Sequence, residues 1–257
     1  MSQIENQRTK ILAIVGSPRK GKTYQAIKSL EENSPEVDLN ILMLNELDIG
    51  LCKGCYLCNS RGEEYCPLKD DRDTILAEME KADGIIFASP VYVNHITGTM
   101  KNFIDRLGFL AHRPNFFDKQ AMVMATCKSF GADVVTGYLE DIVNVFGLNV
   151  TAKLGLKITT GSEKEDQQNH MKAVKVFDEF IESIRKGTRV EPSINQLVMF
   201  NSFKMVSEQV KDEFPADYSY YKDKKGYYYE GAKINGIKKM LAKRIAKKSL
   251  DDLAHIS

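Results

Sequence analysis

The chain has 257 residues, with 36 Lys and Arg against 35 Asp and Glu, a formal net charge of +1 and 43% hydrophobic residues. That length supports a full core, and so even a charge balance offers no global field for nucleic acid. No apolar run approaches the ~20 residues that span a bilayer, and residues 1–9 lack the apolar centre of a secretory signal, so the five cysteines predict a cytoplasmic protein whose clustered thiols serve metal or redox chemistry.

The first element is a short apolar run, Ile11, Leu12, Ile14 and Val15, which reads as a strand buried on both faces of a parallel sheet. It ends at Gly16 and is followed by Ser17, Pro18, Arg19, Lys20, Gly21, Lys22 and Thr23, then by a helical pattern with Ala26, Ile27 and Leu30 on one face. Strand, basic glycine loop, helix places backbone N–H groups and a helix N-terminus against a phosphate. Arg19, Lys20 and Lys22 add up to three positive charges, and Ser17 and Thr23 two hydroxyls. Residues 16–23 also fit the nucleotide-triphosphate pattern G-x-x-x-x-G-K-[ST]. A P-loop enzyme needs a further acid at the end of a buried strand to hold Mg²⁺. The next candidates for that position end in Ala88-Ser89-Pro90 and Ala125-Thr126-Cys127, without Asp or Glu.

Val37 to Leu44 reads as the second strand, Asp71 to Lys81 as a short helix, and Gly84 to Ser89 as the third strand. Thr97 to Leu110 is expected as a helix with Met100, Phe103, Ile104 and Leu107 along one stripe. Ala121 to Thr126 is the fourth strand, Asp133 to Phe146 a helix, Asn149 to Ile158 the fifth strand and Ser162 to Arg185 a long amphipathic helix. Five short strands alternating with helices predict a doubly wound parallel sheet with helices on both faces. Such sheets bind ligands beyond the carboxyl ends of their strands, which directs attention to the loops after Val15, Ala88 and Ala125.

Between the second strand and the next helix, residues 45–70 form a long connection that carries four cysteines. Cys52, Cys55, Cys58 and Cys66 are spaced C-x2-C-x2-C-x7-C-P. Three cysteines at two-residue gaps can wrap one corner of a cubane cluster, with a later Cys closing it. Four-thiolate zinc and a metal-free cysteine loop are the other readings. His95, His112, His170 and His255 are scattered and make no ligand spacing; His95 sits beside the loop after the third strand.

The loop after the third strand is Pro90-Val91-Tyr92-Val93-Asn94, where Pro fixes the backbone and Tyr offers a π-face and a polar tip to a flat ring. Asp105 and Arg106 read as well as a surface or interface ion pair as they do as functional groups.

Three segments carry a resemblance. Gly16-Ser-Pro-Arg19, the run Ala82-Asp83-Gly84-Ile-Ile-Phe-Ala-Ser-Pro-Val-Tyr92 with Gly98, Lys101, Phe103, Asp105 and Arg106 after it, and the cysteine spacing resemble the flavodoxin-like NADPH-dependent FMN reductases, in the iron–sulfur flavoprotein branch. The resemblance implies a five-stranded sheet of order 2-1-3-4-5. It implies that Ser17, Arg19 and Thr23, with Lys20, Gly21 and Lys22 around them, hold the FMN phosphate. Pro90, Val91, Tyr92, Val93 and Asn94 would meet the ring, as would Thr126, Cys127 and Gly131 in the loop after the fourth strand. Cys52, Cys55, Cys58 and Cys66 would carry a 4Fe-4S cluster. The implied function is an FMN-dependent oxidoreductase. Its electron donor would be NAD(P)H or a reduced ferredoxin, and its acceptor a quinone, free flavin, oxygen species or metal centre. No side chain is assigned as acid or base. The rivals are a non-enzymatic flavin electron carrier or redox sensor and, third, a P-loop nucleotide-binding protein.

The flavin-binding unit is expected over residues 1–187, with 188–257 as an extension. In the extension, Asn195 to Glu213 reads as a helix ending before Pro215. Tyr218, Tyr220, Tyr221, Tyr227, Tyr228 and Tyr229 surround a charged turn at 222–226, and Asn235 to Leu250 reads as a basic amphipathic helix. Packing of this segment on the domain or on a second subunit, in a homodimer or tetramer with each flavin near a boundary, is the expected use; membrane-surface binding by the last helix is the weaker one.

Overall fold

A computed structural model describes residues 8–160, 162–224 and 228–254. Tyr227, the 225–226 part of the charged turn, His255 and residues 1–7 lie outside the described residues.

The five strands are β1 (Thr9–Val15), β2 (Val37–Met43), β3 (Gly84–Pro90), β4 (Gln120–Cys127) and β5 (Asn149–Lys157), hydrogen-bonded in the order β2-β1-β3-β4-β5. Every neighbouring pair is parallel. The doubly wound sheet and its order are those expected, and the cause is visible residue by residue. Leu12, Ile14, Ile85, Phe87, Val123 and Ala125 point to one apolar layer, whereas Ile11, Ala13, Val15, Ile86, Ala88, Met122 and Met124 point to the other. Alternation with both faces apolar is what a sheet covered on both sides requires.

The helices are α1 (Lys22–Asn33), α2 (Leu57–Ser60), α3 (Arg72–Lys81), α4 (Gly98–Arg106), α5 (Phe109–His112), α6 (Ala132–Val145), α7 (Glu163–Arg185), α8 (Ile194–Gln209), α9 (Pro215–Lys222) and α10 (Gly236–Ala254). Helices α1 and α7 cover the second layer, through Ile27, Leu30, Phe177 and Phe180. Helices α3, α4 and α6 cover the first, through Ile75, Met100, Phe103 and Leu139. The single helix expected over 97–110 is broken at Leu107–Gly108, a glycine being a poor continuation. The helix expected over 195–213 ends earlier, at Gln209, and Pro215 opens the separate α9, where its missing N–H is harmless. Helix α8 begins with a capping box, Gln196 N donating to Ser193 Oγ at 3.2 Å and Ser193 N to Gln196 Oε1 at 2.7 Å. Leu197, Phe200, Tyr221, Tyr228, Ile234 and Ala242 form a third cluster that joins α8, α9 and α10. No helix among the described residues is long and apolar enough to cross a membrane.

One close approach fixes the entrance to the phosphate loop. Thr97 caps α4, accepting from Met100 N at 3.1 Å, and its hydroxyl donates to Gly16 O at 2.6 Å. A Cβ at Gly16 would stand 2.6 Å from Met100 Cβ. Gly16→Ala should therefore force β1 and α4 apart and destabilise the fold by about 1–3 kcal/mol. Thermal unfolding of the flavin-free protein reads this directly; an unchanged Tm would show that α4 yields without cost.

Candidate functional site

The site is built at the carboxyl end of the sheet. In the loop after β1, Ser17 and Thr23 are buried, and Arg19, Lys20 and Lys22 are exposed. Ser17 Oγ donates to Arg19 O at 2.7 Å and Gly21 N to the same oxygen at 2.7 Å, so the loop is tightly wound. Gly21 is the N-cap of α1 and no side chain caps the helix, which leaves its first-turn N–H groups for a ligand. The three cations differ in what they already hold. Lys20 pairs with Glu46 at 2.9 Å, whose hydrogen bond and charge raise the ammonium pKa, and Lys22 lies 3.6 Å from Asp166. Arg19 pairs with no carboxylate among the described residues. It is the cation that can take an anion without giving up another partner. Together the buried hydroxyls, uncapped helix start and free guanidinium fit a phosphate monoester.

Thr23 Oγ1 lies 2.6 Å from Thr126 Oγ1, a buried contact that ties this loop to the end of β4. The loop after β3 is tied to the same strand end: Val91 N donates to Thr126 O at 2.8 Å. Tyr92 and His95 exchange backbone hydrogen bonds at 2.8 and 2.9 Å, closing a tight turn whose central residues, Val93 and Asn94, both have positive φ, 47° and 60°. Asn tolerates that conformation, but for a β-branched residue it is strained. Val93 is also fully exposed, at 101%. Strain in an exposed apolar residue marks a segment shaped for something other than stability. Gly131, at φ 93°, fits beneath this turn, since a Cβ there would meet Asn94 Oδ1 at 2.5 Å and Val91 Cγ1 at 2.9 Å. Pro90 and Cys127 are half-buried at the strand ends, while Tyr92 and Phe130 stand exposed. His95 is exposed and meets Tyr138 edge-on, with ring centroids 4.6 Å apart. The three sequence-predicted loops are thus brought together at one edge, with exposed apolar side chains around them.

The cysteine connection is anchored at both ends by α4. Asn102 Oδ1 accepts from Cys52 N at 3.3 Å, and its Nδ2 donates to Ile49 O at 3.1 Å. Arg106 is bidentate on Asp70, at 2.5 and 3.0 Å, donates to Gly50 O at 2.8 Å, and reaches Cys66 Sγ at 3.7 Å. Asp105 does not pair with Arg106; it takes Lys101 at 2.5 Å on the surface. Arg113 holds the middle of the connection, donating to Cys58 O at 2.7 Å and Asn59 O at 3.3 Å. Cys52 and Cys55 are exposed, Cys58 and Cys66 half-buried, and all four are free thiols. As the side chains stand, no group of three or more His, Cys, Asp or Glu among the described residues is gathered tightly enough to hold a metal ion. Burial pushes the Cys58 thiol up, and negative charge on Cys66, Cys52 and Cys55 adds to this, against the Arg113 guanidinium. Four thiolates in a loop held by two buried arginines are a donor set suited to a soft iron–sulfur centre. Gly54 and Tyr56, both at positive φ, flank Cys55 on the exposed arm.

Asn102, Arg106, Arg113 and Asn59 carry this arrangement; Arg106 stands in the resembling segment, and nothing in the sequence reveals the other three. A signal for Arg106 was present, an arginine one turn after Asn102 on an apolar-striped helix, but its partner Asp70 lies 36 residues away.

The matched family model is described as NADPH-dependent FMN reductase and covers residues 9–162. An iron-sulfur flavoprotein of Archaeoglobus fulgidus is 29% identical over 222 residues, 84% of this chain and 98% of that protein. An iron-sulfur flavoprotein of Methanosarcina thermophila is 32% identical over 150 residues, 55% of this chain and 76% of that protein. Among solved structures, a flavone reductase superposes with a TM-score of 0.54 at 17% identity, covering 71% of this chain and 66% of that one, a likeness of fold.

Proposed function

The chain belongs to the NADPH-dependent FMN reductase family, in its iron–sulfur flavoprotein branch, and is an FMN-dependent oxidoreductase; from that premise we propose that it takes electrons from NAD(P)H or a reduced ferredoxin and hands them, through FMN and a 4Fe-4S cluster, to a small acceptor such as a quinone, free flavin or oxygen species. The observation that carries the reading is the meeting of the three loops at the carboxyl end of β1, β3 and β4, beside a four-cysteine loop held by buried arginines.

When bound, FMN accepts a hydride as an electron pair and can release the electrons singly, which suits it to a one-electron cluster. The protein's work is to bind and orient. Arg19 and Thr23, with Ser17, Lys20, Gly21 and Lys22, hold the phosphate. Pro90, Val91, Tyr92, Val93 and Asn94 form one wall for the ring, and Thr126, Cys127 and Gly131 the other. Cys52, Cys55, Cys58 and Cys66 supply the cluster's four thiolates, and Arg106 and Arg113, each already paired with a buried carboxylate, hold the loop that carries them. A reducing, cytoplasmic setting suits these free thiols. We take residues 1–187 as the flavin-binding unit and 188–257 as an extension. A homodimer or tetramer would cover the exposed Leu51, Tyr56, Tyr92, Val93 and Phe130 around the site.

The test uses the phosphate. Arg19→Ala removes a charge-assisted contact worth about 1.5–3 kcal/mol, so FMN affinity should fall roughly 10- to 150-fold, while riboflavin, which lacks the phosphate, should bind as before. Equal weakening of both ligands would sink the phosphate assignment. Oxidation of NAD(P)H by the purified protein, against none, separates an enzyme from an electron carrier.

A further inference from the structure

The C-terminal extension reaches back to the cysteine loop through one buried carboxylate. Asp217, in the first turn of α9, is 5% exposed and lies beyond the residues 9–162 matched by the family model. Its two oxygens start two chains of contacts, and both end at Cys58 and Asn59.

Through Oδ1, Asp217 pairs with Arg113, itself buried. The same guanidinium donates to Cys58 O at 2.7 Å, to Asn59 O at 3.3 Å, and to Glu63 Oε2 at 2.9 Å. Through Oδ2, Asp217 lies 2.7 Å from His112 Nδ1. His112 Nε2 lies 3.2 Å from Asn59 Nδ2, and Asn59 Oδ1 lies 3.6 Å from Cys58 Sγ. The donors run in one consistent direction: thiol to amide oxygen, amide N–H to Nε2, and Nδ1–H to the carboxylate. His112 is further held by Phe203 of α8, with ring centroids 4.1 Å apart, and its carbonyl accepts from the Tyr221 hydroxyl at 2.5 Å.

A buried guanidinium aimed at two carbonyls keeps its geometry only while its own charge is met. Of the two carboxylates on this guanidinium, Glu63 is half exposed and Asp217 is the buried one, supplied from a different part of the chain, 104 residues from Arg113. We propose that Asp217 is a positioning residue for the third cysteine: through Arg113 and His112, the extension sets the conformation of Cys58–Asn59 and so the readiness of the loop to receive its metal centre. The metal-bound half of this statement rests on the cluster reading above; the loop-conformation half does not.

The experiment compares Asp217→Asn with the unaltered full-length protein by two readouts. In metal-free protein, alkylation of each cysteine by iodoacetamide is followed by mass spectrometry, with Cys127, on the β4 loop, as internal reference. In anaerobically prepared protein, the rate of iron loss to a chelator is measured. Cys58 should alkylate several-fold faster in the variant while Cys127 is unchanged, and iron should leave about tenfold faster, the usual effect of losing an outer partner of a metal ligand. Arg113→Lys keeps the charge but loses the fork that reaches both carbonyls, and should reproduce both changes should Asp217→Asn fold poorly. Tyr228→Phe loosens the extension elsewhere, where Tyr228 Oη receives Gln196 Nε2 at 3.1 Å, and should move neither readout. Asp217→Asn and Arg113→Lys both within twofold of the unaltered protein, or Tyr228→Phe changing the readouts as much, would overturn the proposal. Unaltered protein without iron would refute the cluster while leaving the alkylation comparison to decide this point.

Discussion

Arg106→Met should lower the stability of the fold by about 3–5 kcal/mol, the usual effect of removing one partner from a buried ion pair. The Arg106 side chain is 1% exposed and that of Asp70 6%, so neither charge has water to fall back on. For a chain of this size the loss corresponds to a Tm roughly 10 °C lower. The pair also gives the protein an acid limit. Burial alone pushes the Asp70 carboxyl up, but hydrogen bonds from Arg106 and from the Gly50 and Arg72 N–H groups outweigh it, and the net shift is downward. A carboxyl depressed in the folded state contributes stability that is complete above its unfolded value of about 3.9 and is lost as pH falls through the lower folded value. In Arg106→Met the depressing partner is gone, so Asp70 should take up a proton at higher pH and the acid limit should move up. Replacing both, as Arg106→Met with Asp70→Leu, should recover much of the loss, because the damage in the single variant is mostly the stranded carboxylate. A Tm within about 2 °C of the unaltered protein for the single variant would show that the pair adds nothing net.

The same pair shows where sequence reasoning reaches and where it stops. β1, β3 and β4 were legible because each is an apolar run between glycine, proline or polar breaks, and five such runs between amphipathic helices leave few sheets to choose from. The order followed from resemblance, and the structure bears it out. Boundaries differ where tertiary contacts decide them: Gly108 splits one expected helix, and Pro215, expected only to follow a helix end, begins a helix of its own. The short α2 between Cys55 and Cys66 has four residues and no periodicity to find, and is held by Arg113 from outside. The loops at the carboxyl edge were legible by their place after buried strands. Their engagement was not: nothing in Gly16 to Thr23 says that Lys20 is taken by Glu46 and Lys22 by Asp166, leaving Arg19. Nor does any spacing connect Asp217 to Cys58, since the link passes through Arg113 and His112 on a third segment. Pairs far apart in sequence are decided by packing, and one sequence carries no record of them.

Cys55→Ser should remove nearly all iron from anaerobically prepared protein while leaving FMN bound at its usual stoichiometry. Iron in such clusters takes thiolates, and a serine hydroxyl in the middle of a C-x2-C-x2-C run is a hard, protonated substitute that cannot close the corner. The unaltered chain should hold about four irons, and the variant well under one. FMN should stay because the two sites share no residue: the phosphate loop winds between β1 and α1, whereas the cysteines hang between β2 and α3 and are fastened to α4 by Asn102 and Arg106. The complementary change closes the argument. Arg19→Ala should weaken FMN roughly 10- to 150-fold and keep the iron, so the two substitutions must affect the two cofactors in opposite ways. Cys55 is exposed and makes no core contact, so misfolding is a poor rival explanation for iron lost at unchanged Tm and unchanged FMN affinity. If unaltered protein prepared without oxygen holds flavin but neither iron nor sulfide, or if Cys55→Ser retains half its iron or more, the four cysteines do not carry the cluster proposed for them.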